Sequence, residues 1–278
     1  MRCLRAGDLI PRGSYAFHSR FEKALNFSNG RFLVSLVTPE LGAGPLWVQV
    51  DELDRLPAQC LVVEAGAIRL DGRCLGYHPS ATYRSTWSRE APPFQGLGPL
   101  LALLRERILG SPSRGLLAGL LAPDVLRNEG QRSAFERTCA ERALEGAKQL
   151  LSGNPLEGAR LLRGCGPGLT PSGDDFLAGH LHGLHLLMRI HGHALRPRIR
   201  AVHRAALGGN LFSNTGLHLA RLGRPFERLK DLMEALLAGR REALVRAADS
   251  VCALGASSGT DLAAGLYVTL ERGVAPWP

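Results

Sequence analysis

Between Gly164 and Asp175 the chain reads Gly-Cys-Gly-Pro-Gly-Leu-Thr-Pro-Ser-Gly-Asp-Asp and runs directly into the apolar stretch Phe176-Leu177-Ala178-Gly179. Glycines free to take positive φ and prolines with a fixed φ define this backbone tightly, and two adjacent carboxylates follow at the start of a predicted helix. Such a segment is built to hold something in one conformation.

The strongest support comes from a second copy. Ser257-Ser258-Gly259-Thr260-Asp261-Leu262-Ala263-Ala264-Gly265 repeats the pattern Ser-Gly-x-Asp-x-x-Ala-Gly of Ser172 to Gly179, so that Asp261 corresponds to Asp175. Each copy places a carboxylate just before a strongly apolar helix. The repetition predicts that Asp175 and Asp261 both lie at helix N-termini and approach one pocket. A helix apolar on most faces belongs in the middle of a bundle, which puts the carboxylates at its mouth near the interior.

Helix capping accounts for part of this pattern. Ser172-x-x-Asp175 and Ser258-x-x-Asp261 fit the capping box, in which the serine accepts from a backbone N–H and the acid reaches back. Capping does not require Gly166 and Gly168, the glycines Gly173 and Gly259, or the extra Asp174. Those glycines suit a ligand that approaches the backbone closely.

A helix N-terminus attracts anions, whereas aspartates repel them. Two arrangements reconcile the two. Asp174, Asp175 or Asp261 holds a divalent cation, Mg2+ by its preference for oxygen, that bridges to phosphate; or one aspartate keeps its proton and acts as a general acid. The candidate catalytic and metal-ligating residues are therefore Asp174, Asp175 and Asp261. The candidate substrate-binding residues are Gly166, Gly168, Thr170, Ser172, Gly173, Ser257, Ser258 and Gly259, joined by Asn210 and Ser213. The last two stand in a run of Asn, Ser and Thr that either caps the following helix or hydrogen-bonds a planar amide. Arg84, Arg89, Arg160 and Arg163 are candidate carboxylate clamps.

His180, His182, His185, His191 and His193 suggest zinc, but His180 and His182 point to different sides of a helix and no H-E-x-x-H or cysteine partner completes a set. Surface or loop histidines are the reading adopted. No G-x-S-x-G, Walker loop or dinucleotide fingerprint occurs, and Cys165 has no histidine partner identifiable by spacing.

Along the chain the hydrophobic period changes once. Arg31 to Val37, Leu46 to Val50, Cys60 to Glu64 and Ala67 to Leu70 read as strands, with turn signals at Asn29-Gly30 and Asp71-Gly72 and a hairpin at the second. After Pro92-Pro93 helical periodicity takes over. The expectation is an α+β fold: a β-rich domain over 1–95, as a small antiparallel sheet or barrel, then a mainly helical domain over 96–278.

The net charge of +9 invites a nucleic-acid partner. The basic residues, nearly all arginine, are scattered rather than striped, and they do not interleave with aromatics, so anionic substrates or acidic partner subunits are the better expectation. Six cysteines without a C-x-x-C pair suit a reducing compartment. With neither a signal-peptide pattern nor a membrane-length apolar run, a cytoplasmic protein is expected.

The loop Gly166 to Asp175, the stretch Gly255 to Asp261 and the openings Phe17-His18-Ser19 and Asn26-Phe27 together resemble the family that includes the AllH-type subunit of oxamate carbamoyltransferase. The resemblance implies a subunit of an assembly in purine and allantoin catabolism. That assembly moves a carbamoyl group between oxalurate and phosphate, giving oxamate and carbamoyl phosphate. It further implies a small anionic substrate, phosphate or a ureido acid, and hetero-subunits as partners. Two alternatives use the same residues: a magnesium-dependent hydrolase of a phosphorylated or amide-bearing metabolite, and a non-catalytic organising subunit.

Overall fold

The computed structural model describes residues 1–53, 58–87, 96–113, 115–121, 134–192 and 194–273. The chain is α+β and divides into two compact units, one of Met1–Trp87 with Arg224–Lys230, the other of Ser88–Gly223 with Asp231–Pro278. Pro92-Pro93, Arg89 and His193 lie outside the described residues.

In the first unit nine strands of the described residues form one sheet: β1 (Cys3–Gly7), β2 (Gly13–Phe21), β3 (Ala24–Ser28), β4 (Leu33–Val37), β5 (Trp47–Val50), β6 (Cys60–Glu64), β7 (Ala67–Leu70), β8 (Arg73–Cys74) and β9 (Thr82–Tyr83). Their order is β8-β7-β6-β2-β3-β4-β5-β1-β9. The four expected strands are present as β4 to β7. The predicted hairpin joins β7 to β8, with Leu70 opposite Arg73 and positive φ at both Asp71 (48°) and Gly72 (82°), the geometry of a type I′ turn. Asn29 also turns the chain, its Oδ1 accepting from Arg31 N at 3.0 Å.

The sheet differs from a purely antiparallel one in two pairings, β4 with β5 and β1 with β9, which are parallel. Parallel neighbours need a crossover, and the chain between β4 and β5 supplies one with a 3-10 turn at Pro39–Leu41. Cys3 N donates to Leu75 O at 2.7 Å, which brings β1 against the segment that leaves β8 and curls the sheet toward a barrel. Inside, Tyr15, Leu25, Phe27, Leu36, Val48 and Leu61 form a core that excludes water. Buried Asn26 is satisfied within the sheet, accepting from Ser35 Oγ at 2.7 Å and donating to Ser19 Oγ at 3.2 Å.

A segment remote in sequence completes this unit. Phe226 stacks on Trp47 with ring centroids 5.8 Å apart, Tyr83 donates to Pro225 O at 3.0 Å, and the Glu227 carboxylate takes Arg5 at 2.5 Å and Ala43 N at 2.9 Å.

The second unit is helical: α1 (Gly98–Gly110), α2 (Ala134–Leu151), α3 (Pro155–Leu162), α4 (Ser172–His191), α5 (Arg196–Ala206), α6 (Leu211–Arg221), α8 (Arg241–Cys252) and α9 (Ser258–Arg272), with residues 231–237 of α7 (Glu227–Leu237). The described part of the expected helical region is mainly helical, and it includes the short α3, whose eight residues are too few for a clear period. Helices α4 and α9 are its centre, as their apolar character implies: Phe176, Leu177 and Leu181 on one, and Ala263, Ala264 and Leu266 on the other, have no exposed surface.

These two helices cross at glycines. A Cβ at Gly265 would strike the Phe176 carbonyl oxygen, and one at Gly179 would strike that of Leu262. Gly179 corresponds to Gly265, and Phe176 to Leu262, in the sequence repeat. The contact is therefore reciprocal, as a two-fold relation between the copies requires. Among the described residues no helix is long and apolar enough to cross a membrane.

Candidate functional site

Both sequence motifs open helices, but not as capping boxes. Ser172 and Ser258 are the first residues of α4 and α9, the caps are Pro171 and Ser257, and neither helix has a side-chain cap hydrogen bond. The carboxylates of the first turn are thereby released for other partners.

The motif glycines serve packing. A Cβ on Gly173 would run into the Leu162 carbonyl at the end of α3, and one on Gly259 into the Val251 carbonyl in the last turn of α8. These equivalent contacts exclude a side chain at those two positions. Gly166 and Gly168 answer a different need: φ of 110° and 105°. Their turn carries the chain from α3 to α4 and brings Thr170 over the helix start.

The two helix starts are joined through Thr170. Thr170 Oγ1 donates to Asp175 Oδ2 at 3.0 Å and lies 2.9 Å from Ser258 Oγ, so the first turn of α9 reaches the first turn of α4 through one hydroxyl. Asp175 keeps part of its surface exposed, yet packed atoms crowd its carboxyl. Desolvation raises its pKa to about 8, opposed by the Ser258 and Thr170 hydroxyls and assisted by the charges of Asp261 and Asp174. Asp175 is a neutral acid at neutral pH.

Asp261 is wholly buried, and one oxygen accepts from Leu117 N at 2.8 Å. Burial lifts its pKa to about 6, while Leu117 N–H and, next, the Ser172 hydroxyl pull it down. Each motif's aspartate thus feels the other motif's serine. The Ser113 to Leu117 segment was missed by sequence reading: Leu117 engages Asp261, and Thr260 Oγ1 donates to Ser113 O at 2.7 Å. Its signal is Gly115, where a Cβ would meet the Asp261 carboxyl.

Asp174 turns the other way and accepts from Gly164 N at 2.9 Å. Desolvation raises its pKa, against the Ser213 hydroxyl, Gly164 N–H and Arg163. Ser213 Oγ faces Asp174 without a hydrogen bond of normal length. Asn210 takes the capping role, accepting from Phe212 N and Ser213 N at 2.9 and 3.2 Å and donating to Leu169 O at 2.7 Å. Ser257 supplies its carbonyl to Asp261 N at 3.0 Å.

Three carboxyls therefore gather, but each is committed to a different strand of chain. Among the described residues no three His, Cys, Asp or Glu side chains are grouped to hold a metal ion. The helix-start amides are also engaged: Gly173 N donates to Cys165 O, Asp174 N and Asp175 N to Pro171 O, and Gly259 N to Leu254 O.

The histidines correct the surface reading. His180 and His182 are buried, and desolvation lowers both pKa values to about 3, so they are neutral. His180 Nδ1 lies 2.7 Å from Thr269 Oγ1, whereas His185 Nε2 lies 3.1 Å from Arg221 O, consistent with opposite sides of α4. Cys165 is buried with its thiol on Leu161 O, and burial raises its pKa, which leaves it a poor nucleophile. All six cysteines are free. Arg163 donates to Leu207 O and Arg160 pairs with Glu157. Arg84 belongs to the sheet unit.

Fold and site define the class: an α+β chain whose helical unit pairs two helix starts around the Asp175 carboxyl. Residues 162–270, which hold both motifs, match the family described as oxamate carbamoyltransferase subunit AllH. No curated protein and no solved structure matches the chain.

Proposed function

We propose that this chain is a subunit of a carbamoyltransferase assembly of the oxamate carbamoyltransferase kind, completed by hetero-subunits, and that Asp175 is its acid. The observation that carries the reading is that the family match spans the site where the Asp175 carboxyl takes the Thr170 hydroxyl, itself in contact with Ser258 of the second motif. In the reaction a phosphate oxygen bonds to the ureido carbonyl carbon of oxalurate and negative charge gathers on the carbonyl oxygen. The Asp175 O–H is suited to stabilise that charge. The C–N bond to the oxamate nitrogen then breaks, and the nitrogen takes the proton that hydrogen phosphate gives up, leaving oxamate and carbamoyl phosphate.

The test is formation of oxamate from oxalurate and phosphate by the chain together with its partner subunits. Asp175→Asn keeps the shape of the acid but donates a weaker hydrogen bond. It should lower kcat about a hundredfold with little change in KM, and remove the fall in rate that the wild type shows above about pH 8. A variant with full kcat would dismiss the acid role. Magnesium-dependent turnover by the chain alone would favour a hydrolase, and activity indifferent to Asp175 an organising subunit.

A further inference from the structure

Helix α9 begins at the Asp175 cluster, with Asp261 in its first turn. Its last turns, about 15 Å further along by helical rise, border a cavity of about 240 Å3. The walls all belong to the helical unit: α1, the 3-10 turn Leu117–Leu120 with Leu121 after it, the end of α2, and α9. Pockets that take drug-sized ligands run from about 300 to 1,000 Å3, so this one is sized for a small metabolite.

The lining divides by chemistry. Leu120, Leu121, Leu151 and Val268 form an apolar wall, and Arg105, Tyr267, Glu271 and Arg272 supply the polar groups. Tyr267, itself buried, donates its hydroxyl to Glu271 Oε1, which steadies that carboxylate and leaves Oε2 unengaged among the described residues. Burial, then the Glu271 carboxylate, raises the Tyr267 pKa to about 12, and Arg105 opposes the rise, so the three groups share one space. Arg105 is anchored by a single bond, Nη2 to Leu121 O at 2.6 Å. Arg107 on the same helix is paired with Asp249 at 2.7 Å, whereas Arg105, Arg272 and Glu271 form no ion pair among the described residues.

Charges of both signs thus open on one small space without neutralising each other. A plain anion would meet the two arginines but also Glu271, and a plain cation would meet Glu271 but also the arginines. An uncharged apolar guest would take all three charges out of water with nothing in return. Only a guest that carries both signs beside a short aliphatic arm answers every wall.

We propose that this cavity is a second ligand site, one that binds a small aliphatic α-amino acid as its zwitterion. The carboxylate faces Arg105 and Arg272, the ammonium faces Glu271, and the side chain lies on Leu151 and Val268. The site shares no residue with the Asp175 cluster, so it stands or falls apart from the carbamoyl-transfer reading.

The experiment titrates the full chain with L-leucine and, separately, with isocaproate and isoamylamine, which lack the ammonium and the carboxylate in turn. The methyl resonances of Leu151 and Val268 are followed by NMR. L-leucine should shift both saturably, and each analogue should bind about tenfold more weakly. Glu271→Gln should weaken L-leucine about tenfold yet strengthen isocaproate, because the charge that opposes a plain anion is gone. Arg272→Gln should weaken L-leucine and strengthen isoamylamine for the converse reason. Both side chains are exposed, and an unchanged melting temperature would show that the variants keep the fold. No saturation by about 10 mM L-leucine, isocaproate bound by the wild type as tightly as L-leucine, or L-leucine affinity unchanged in both variants would overturn the proposal. The three ligands compared on the wild-type chain decide the matter if a variant does not fold.

Discussion

Asp175 shows how far one residue's chemistry depends on its neighbours. In an unfolded chain its carboxyl titrates near pH 4, whereas in the fold desolvation and two nearby acids hold the proton to about 8. Between those values the unfolded state releases a proton that the native state keeps, so stability is greatest below about pH 4 and declines as pH rises through about 8. Asp175→Asn removes this dependence. Calorimetry should find the variant more stable than wild type by about 3 kcal/mol at about pH 8, less than the full shift implies because the residue keeps some solvent contact, with the gap closing toward about pH 4. A gap independent of pH would mean that Asp175 is ionised in the native protein.

At the scale of elements, the crossing of α4 and α9 is governed by what glycine lacks. Gly179 and Gly265 each face a carbonyl of the other helix, so alanine at either site forces two backbones apart. Gly179→Ala and Gly265→Ala should each cost about 3 kcal/mol in denaturant unfolding, the upper range for overpacking. Gly216, exposed in α6 with open space around its Cα, is the control: Gly216→Ala should stabilise by about 0.5 kcal/mol through helix propensity. Loss of stability at all three positions would point to helix propensity misjudged rather than to the crossing. The same helices explain why the capping reading failed. A serine three residues before an acid is a local pattern, but whether it stands at the cap or one residue inside depends on the turn that enters the helix. Here Pro171 takes the cap position.

Across the whole molecule, the sheet unit is assembled from two distant stretches of chain. Residues 1–87 expressed alone lose the Phe226 stack on Trp47, the Pro225 acceptor of Tyr83 and the Glu227 contacts to Arg5 and Ala43. Joined to 224–230 by a flexible linker, the fragment should gain about 3 kcal/mol, read as a higher and sharper thermal transition. An identical transition without the segment would show that the sheet does not need it. The sequence by itself determined the α+β class, the hairpin at Asp71-Gly72, the buried helices α4 and α9, and the repeat in which Asp261 corresponds to Asp175, because turns, periods and repeats are set by residues close along the chain. It was silent on β1 to β3, where β2 is mostly exposed and lacks clean alternation, and on Leu117 and Pro225. Only the tertiary structure decided that Gly173 and Gly259 serve helix packing, that His180 and His182 are buried and neutral, and that Thr170 and Ser258 share Asp175. Proton affinity and close packing depend on atoms that are near in space, and here those atoms come from positions 88 to 144 residues apart.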